Sequence, residues 1–158
     1  MAQIHEWGPH IWKILHYHAE YAGSSVLLAD EIRVWETILR HTEAVLACAT
    51  CKEHYKVWKQ AHPTDIFLGQ DKYTFRDLIR KWLWDLHEHV NDHKAVPAER
   101  RLSFDQLSTY KDIPRQEIFQ SIGTLKDVFQ KAVLYRQLNP VYVKEWLRSL
   151  TFLQKLIF

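Results

Sequence analysis

The only two cysteines of this 158-residue chain lie three positions apart, in Cys48-Ala49-Thr50-Cys51. A secreted scaffold held by disulfides carries more cysteines and spreads them out, so this pair reads as redox-active or metal-binding rather than structural. At that spacing two thiols can close a small-ring disulfide, and a helix opening there favours the thiolate through its free N–H groups. Such a pair exchanges readily with other thiols. Cys48 is expected to be the exposed sulfur, and Cys51, about one turn into the helix, to face whatever packs on it. Repeated exchange requires an electron sink. Two other readings stand beside this one: a pair of inert buried thiols, or half of a zinc site completed by two of the ten histidines, for example His87 and His89. A thioredoxin-like module does not fit, because no strand and no βαβ unit is visible.

The elements that must position this pair are helices. Four Gly and five Pro leave few breakers, and apolar residues recur at three and four rather than alternating. A first helix is expected from Pro9 to Gly23, with Ile11, Trp12, Leu15, Ala19 and Ala22 on one stripe. A second follows Asp30 as N-cap and runs to about Ala47, turning Ile32, Trp35, Ile38, Leu39, Val45 and Leu46 inward. The cysteine pair opens a third, through Tyr55 and Trp58 to about Ala61, where His62-Pro63 stops it. A fourth is expected from Thr74 to Lys94, carrying Phe75, Leu78, Ile79, Trp82, Leu86 and Val90, ahead of Pro97. Four helices in this length make a compact bundle. Beyond Pro97 a short helix over Phe104 to Tyr110, a longer one over Arg115 to Arg136 and a last one after Asn139-Pro140 are expected. Phe119, Ile122, Phe129, Trp146, Leu150 and Leu153 are their candidate buried positions.

Composition narrows the partners. The formal charge is +2 with histidine neutral, and no run of Lys and Arg points to nucleic acid or an anionic membrane. No stretch approaches the roughly 20 apolar residues of a membrane span. The start, MAQIHEWGPH, has no basic segment followed by an apolar one, so a protein that is not secreted is expected.

Three pieces of sequence, in order, resemble the ERV/ALR family of FAD-linked sulfhydryl oxidases. Gly8, Trp12 and His16, followed by Ala19 and Tyr21, are similar to its opening helix. Cys48-x-x-Cys51-x-x-His54 is similar to its redox pair and the polar residue that follows. Trp82, His87, Val90 and Asn91 are similar to its fourth-helix signature, although Glu88 stands where the family has Asn. The resemblance covers residues 7 to about 95.

It implies an all-α fold: a four-helix bundle with a short fifth helix over residues 1–100, with residues 101–158 as a helical C-terminal extension. It implies a thiol oxidase that makes disulfides in partner proteins and passes the electrons through FAD to dioxygen, giving hydrogen peroxide. Cys48 and Cys51 are then the catalytic residues. Gly8, Trp12, His16, Tyr21, His54, Trp82, His87, Val90 and Asn91 line the FAD, with Lys94 as a cation for its pyrophosphate. No metal enters this reading. The implied partners are a thiol-bearing protein, such as a thioredoxin-like carrier, and a second copy of the chain paired through the first two helices. With no cysteines for a shuttle pair, the style is that of the short forms in large cytoplasmic DNA viruses, and the location implied is the cytoplasm.

Overall fold

A computed structural model describes residues 1–158 as six α-helices joined by short 3₁₀ segments, with no strand. They are α1 (Ile4–Glu20), α2 (Leu28–Arg40), α3 (Ala49–Ala61), α4 (Lys72–His93), α5 (Arg115–Leu134) and α6 (Pro140–Ile157). The fold is all-α, as the breaker-poor, helically spaced sequence requires.

Helix α1 begins five residues earlier than the sequence suggests, with Pro9 inside it. A capping box between Gln3 and Glu6 supplies the missing start signal, and the buried Trp7 rewards the extra turn. Its exit turns at Gly23, where φ is +84° and an added Cβ would stand 2.7 Å from the Lys72 carbonyl oxygen. Only glycine meets both demands. Asp30 lies within the first turn of α2 and does not cap it. The neighbouring Glu31 holds the α1–α2 loop instead, accepting from the backbone N–H of Gly23 at 2.9 Å and of Ser25 at 3.0 Å.

Helix α2 also ends earlier than expected, at Arg40, because Thr42 folds its hydroxyl back onto the Ile38 carbonyl at 2.7 Å. The tighter 3₁₀ turn Thr42–Val45 then delivers Val45 and Leu46 to the core. Asp71 starts α4, its carboxylate accepting from the N–H groups of Tyr73 and Thr74.

The C-terminal residues are not a separate layer. Helix α5 packs mainly on α1, and α6 packs on α2 and on the 3₁₀ turn that leads to the cysteines. Of the 35 buried residues in the single core cluster, 12 belong to α5, α6 and their connection. Residues 1–100 and 101–158 therefore share one core. The helices through which the resemblance implies pairing of two copies already carry α5 and α6. Phe119 is a correction: it is exposed, because the inward stripe of α5 runs through Ile118, Ile122, Leu125 and Phe129. The other five positions named for the extension are buried.

Candidate functional site

Cys48 is the N-cap of α3 and is disulfide-bonded to Cys51. Its Sγ accepts the Cys51 backbone N–H at 3.2 Å and lies 3.2 Å from the Thr50 hydroxyl. Negative charge arriving on Cys48 thus meets a helix N-terminus, an N–H and a hydroxyl, which stabilises its thiolate. Segment Thr42–Val45 anchors this end: the Trp146 indole N–H donates to Thr42 Oγ1 at 3.2 Å, and Lys52 Nζ donates to the Glu43 carbonyl at 2.9 Å.

Only one of the two cysteines lines the interior cavity. A cavity of about 310 Å³ between α1, α3 and α4 has Cys51 in its wall, and Cys48 is not among its lining residues. Trp7, Ile11, Trp12, Leu15, Leu46, Tyr55, Leu86 and Val90 form the apolar lining, Gly8 leaves room at one side, and His54, His89, His93 and Lys94 supply the polar part. The His54 and His93 rings stack at 4.9 Å, and His89 meets His93 edge-on at 4.8 Å. The volume lies at the small end of ligand pockets and suits a flat ring system. The indole N–H of Trp7, buried in the cavity wall, has no hydrogen-bond partner. A buried donor left unpaired costs about 1–3 kcal/mol.

Behind the cavity stands an aromatic stack. Trp12 lies flat on His87, with centroids 4.0 Å apart and planes 5° apart, and His16 stacks on Tyr110 at 4.7 Å. His16 Nε2 and His87 Nδ1 are 3.0 Å apart, one ring donating to the other. Burial, then proximity to His87, lowers the His16 pKa to about 3. Burial and the nearby Lys94 charge lower that of His87 to about 4. Both rings are neutral at physiological pH.

His87, Asn91 and Tyr110 line a second, smaller depression of about 100 Å³, shared with Arg100 and Arg101. Glu88 is held there. It accepts from Asn91 Nδ2 and Arg101 Nη1, each at 3.4 Å, while Asp92 takes the same guanidinium at 2.6 Å.

Among the residues singled out from the sequence, Gly8, Trp12, Cys51, His54, Val90 and Lys94 meet at the cavity, and His16, His87 and Asn91 gather behind it. Two lie elsewhere. Tyr21 sits among Tyr17, Phe158 and the Lys111 carbonyl, and Trp82 is a core residue, edge-on to Trp58 and donating to the His62 carbonyl at 3.0 Å. The sequence reading assigned no site role to Trp7, His93 and Tyr110, and named His89 only as a candidate zinc ligand. The helical stripe through Ile11 would have found Trp7 had α1 been started at Ile4. His89 and His93 share a face of α4, four residues apart.

The two cysteine sulfurs are bonded to each other and His87 is engaged with His16. No group of three or more His, Cys, Asp or Glu side chains converges on a metal position. No helix is long and apolar enough to cross a membrane. Comparison with curated proteins and with solved structures found no match. The family model described as Erv1 / Alr family matches residues 9–111, which include the disulfide, the cavity's α3 and α4 walls and the aromatic stack. This chain therefore belongs to the Erv1/Alr family.

Proposed function

We propose that the chain is an FAD-dependent thiol oxidase that makes disulfides in a protein partner. The observation that carries this is the asymmetry of the pair: Cys51 lines an aromatic cavity while Cys48 does not. The residues present fit a flavin. Trp7 offers its free N–H, Trp12 and Tyr55 offer flat faces, and Lys94 with His87 and Asn91 marks a route toward the second depression for the polar half of the cofactor. Bound there, FAD would supply a two-electron acceptor that is regenerated by dioxygen, releasing hydrogen peroxide.

The chain's own steps follow from thiol chemistry. A partner thiolate attacks Cys48 Sγ, the Cys48–Cys51 bond breaks, and Cys51 leaves as thiolate. A second partner thiolate attacks the partner sulfur of the mixed disulfide, and Cys48 leaves as thiolate. The Cys51 N–H and Thr50 hydroxyl then hold its charge. The partner gains a disulfide, its two thiol protons pass to solvent or to the pair, and two electrons reside on Cys48 and Cys51. Closing the pair again releases those electrons through Cys51, the sulfur in the cavity wall. This sequence holds no further cysteine besides the pair, and in this reading the partner meets Cys48 directly.

The test is an absorbance spectrum followed by dioxygen uptake with dithiothreitol. A yellow protein that consumes dioxygen is expected, with Cys51→Ser retaining colour and losing turnover. In Cys48→Ser the persisting Cys51 thiolate should give a long-wavelength charge-transfer band. A colourless protein that takes up no FAD would defeat the proposal, and normal turnover by Cys51→Ser would defeat the role given to Cys51.

A further inference from the structure

Once the pair is reduced, Cys51 is either a thiol or a thiolate, and only the thiolate can hand its electrons on. An apolar wall favours the thiol, and most of the cavity around Cys51 is apolar. The proton therefore needs an acceptor. The lining holds no aspartate or glutamate. Burial raises the pKa of its one tyrosine, Tyr55, so that phenol keeps its own proton. Lys94 is an ammonium with no lone pair to offer. His54, His89 and His93 are left as the groups of the lining that can accept a proton near neutral pH.

These three rings touch one another and run from the cavity to water. His54 stands three residues after Cys51 on α3, which sets their Cβ atoms about 5–6 Å apart on one helix face. Its ring stacks on His93, centroids 4.9 Å and planes 17° apart, and His93 meets His89 edge-on at 4.8 Å. His54 and His93 are exposed, and His89 is half-buried. His93 ends α4, where the free carbonyls favour an imidazolium. Burial, then the neighbouring His93 and His54, lower the His89 pKa; Asp92 raises it and His62 lowers it. Helix α1, the third wall, presents no charged group to the cavity.

Deepening the oxidase reading, and resting on it for the fate of the electrons, we propose that the His54–His93–His89 cluster is the proton acceptor of Cys51. The Cys51 S–H bond breaks, an N–H bond forms on His54, and both electrons of the broken bond stay on sulfur. The proton is shared with His93 and leaves that exposed ring for water. Nothing is oxidised or reduced in this step, so it requires no co-reactant.

The test reads the acidity of Cys51 without turnover, so its failure is separate from failure of the oxidase reading. In Cys48→Ser the only thiol is Cys51. Its thiolate displaces iodide from iodoacetamide, and mass analysis follows the product from about pH 5 to about pH 10. The logarithm of the rate should climb, flatten where histidine titrates near pH 6.5, and climb again to a plateau. An imidazolium at about 5–6 Å lowers a thiol pKa by about one unit. Replacing all three rings, by His54→Gln, His89→Gln and His93→Gln, should therefore abolish the shoulder and slow the reaction about tenfold at pH 6 relative to the plateau. His93→Gln alone lies at an exposed helix end; it should move the shoulder to higher pH, because a ring competing for the proton is gone. Circular dichroism checks helix content in each variant. A single step in Cys48→Ser, a shoulder that survives the triple replacement, or a shoulder unmoved by His93→Gln would overturn the proposal. So would a change by one factor at every pH, plateau included, because that reports access to Cys51 and not its acidity.

Discussion

Acidification from pH 7 to pH 5 should weaken this fold through its buried histidines. His16 is 2% exposed and His18 is wholly buried. Burial lowers the His16 pKa to about 3 and that of His18 to about 4, the latter despite the bond from His18 Nδ1 to the Ile14 carbonyl at 2.7 Å. An unfolded histidine titrates near 6.5, so below that pH the unfolded chain binds protons that the native chain refuses. The stability is fully present above about pH 6.5 and is lost as pH falls toward 4 and 3. Over one and a half pH units at about 1.4 kcal/mol per unit, each ring removes roughly 2 kcal/mol by pH 5. Two rings together remove about 4 kcal/mol from a total of about 5–15 kcal/mol for a domain. His87 acts in the same direction, and Glu31, whose carboxyl burial raises, opposes them. Urea midpoints followed by circular dichroism at the two pH values measure the loss. His18→Phe keeps an aromatic ring against Tyr17 and Phe158 and removes one titrating group, so its loss should be smaller by roughly 2 kcal/mol. Equal stability of the native chain at pH 7 and pH 5, or an equal loss in His18→Phe, would refute the reasoning.

Other consequences are open to the same measurements. Gly23→Ala must hold a Cβ at positive φ and 2.7 Å from the Lys72 oxygen; it should cost at least about 1–2 kcal/mol in urea denaturation. Leu153→Ala, at a wholly buried position of α6, should cost about 2–5 kcal/mol. A chain ended at Asp112 loses 12 of the 35 core residues and should show no cooperative unfolding transition, whereas an independently folded residue 1–100 unit would retain one. Trp7→Phe removes a buried indole N–H that has no partner while keeping an aromatic ring; urea denaturation should show it neutral or stabilising by about 1 kcal/mol, with helix content unchanged.

Most members of the candidate site were named from the resemblance to the family, and helical geometry explains why they meet. Trp12, His16, Cys51, His54, His87, Val90 and Asn91 stand at helical intervals on three helices, and the structure brings them to one cavity and the stack behind it. Tyr21 and Trp82 show the limit, since an aromatic at the right interval serves a core as well as a cofactor. Tyr110 was beyond reach for another reason: its stacking on His16 joins residues 94 positions apart through a 3₁₀ segment with no periodic signal.

What the sequence determined by itself is local: an all-helical chain, the disulfide-forming spacing of Cys48 and Cys51 at the start of α3, and most of the inward positions of the helices, Phe119 of α5 excepted. Those follow from backbone propensity and from the 3.6-residue repeat, which act within a few turns. What only the tertiary structure decided is relational. It formed the cavity that Cys51 lines, placed α5 and α6 on α1 and α2, and fastened the α5–α6 turn to Ala47. These depend on which apolar faces meet, and burial favours any complementary pair of faces. The choice among them is made by the whole core at once.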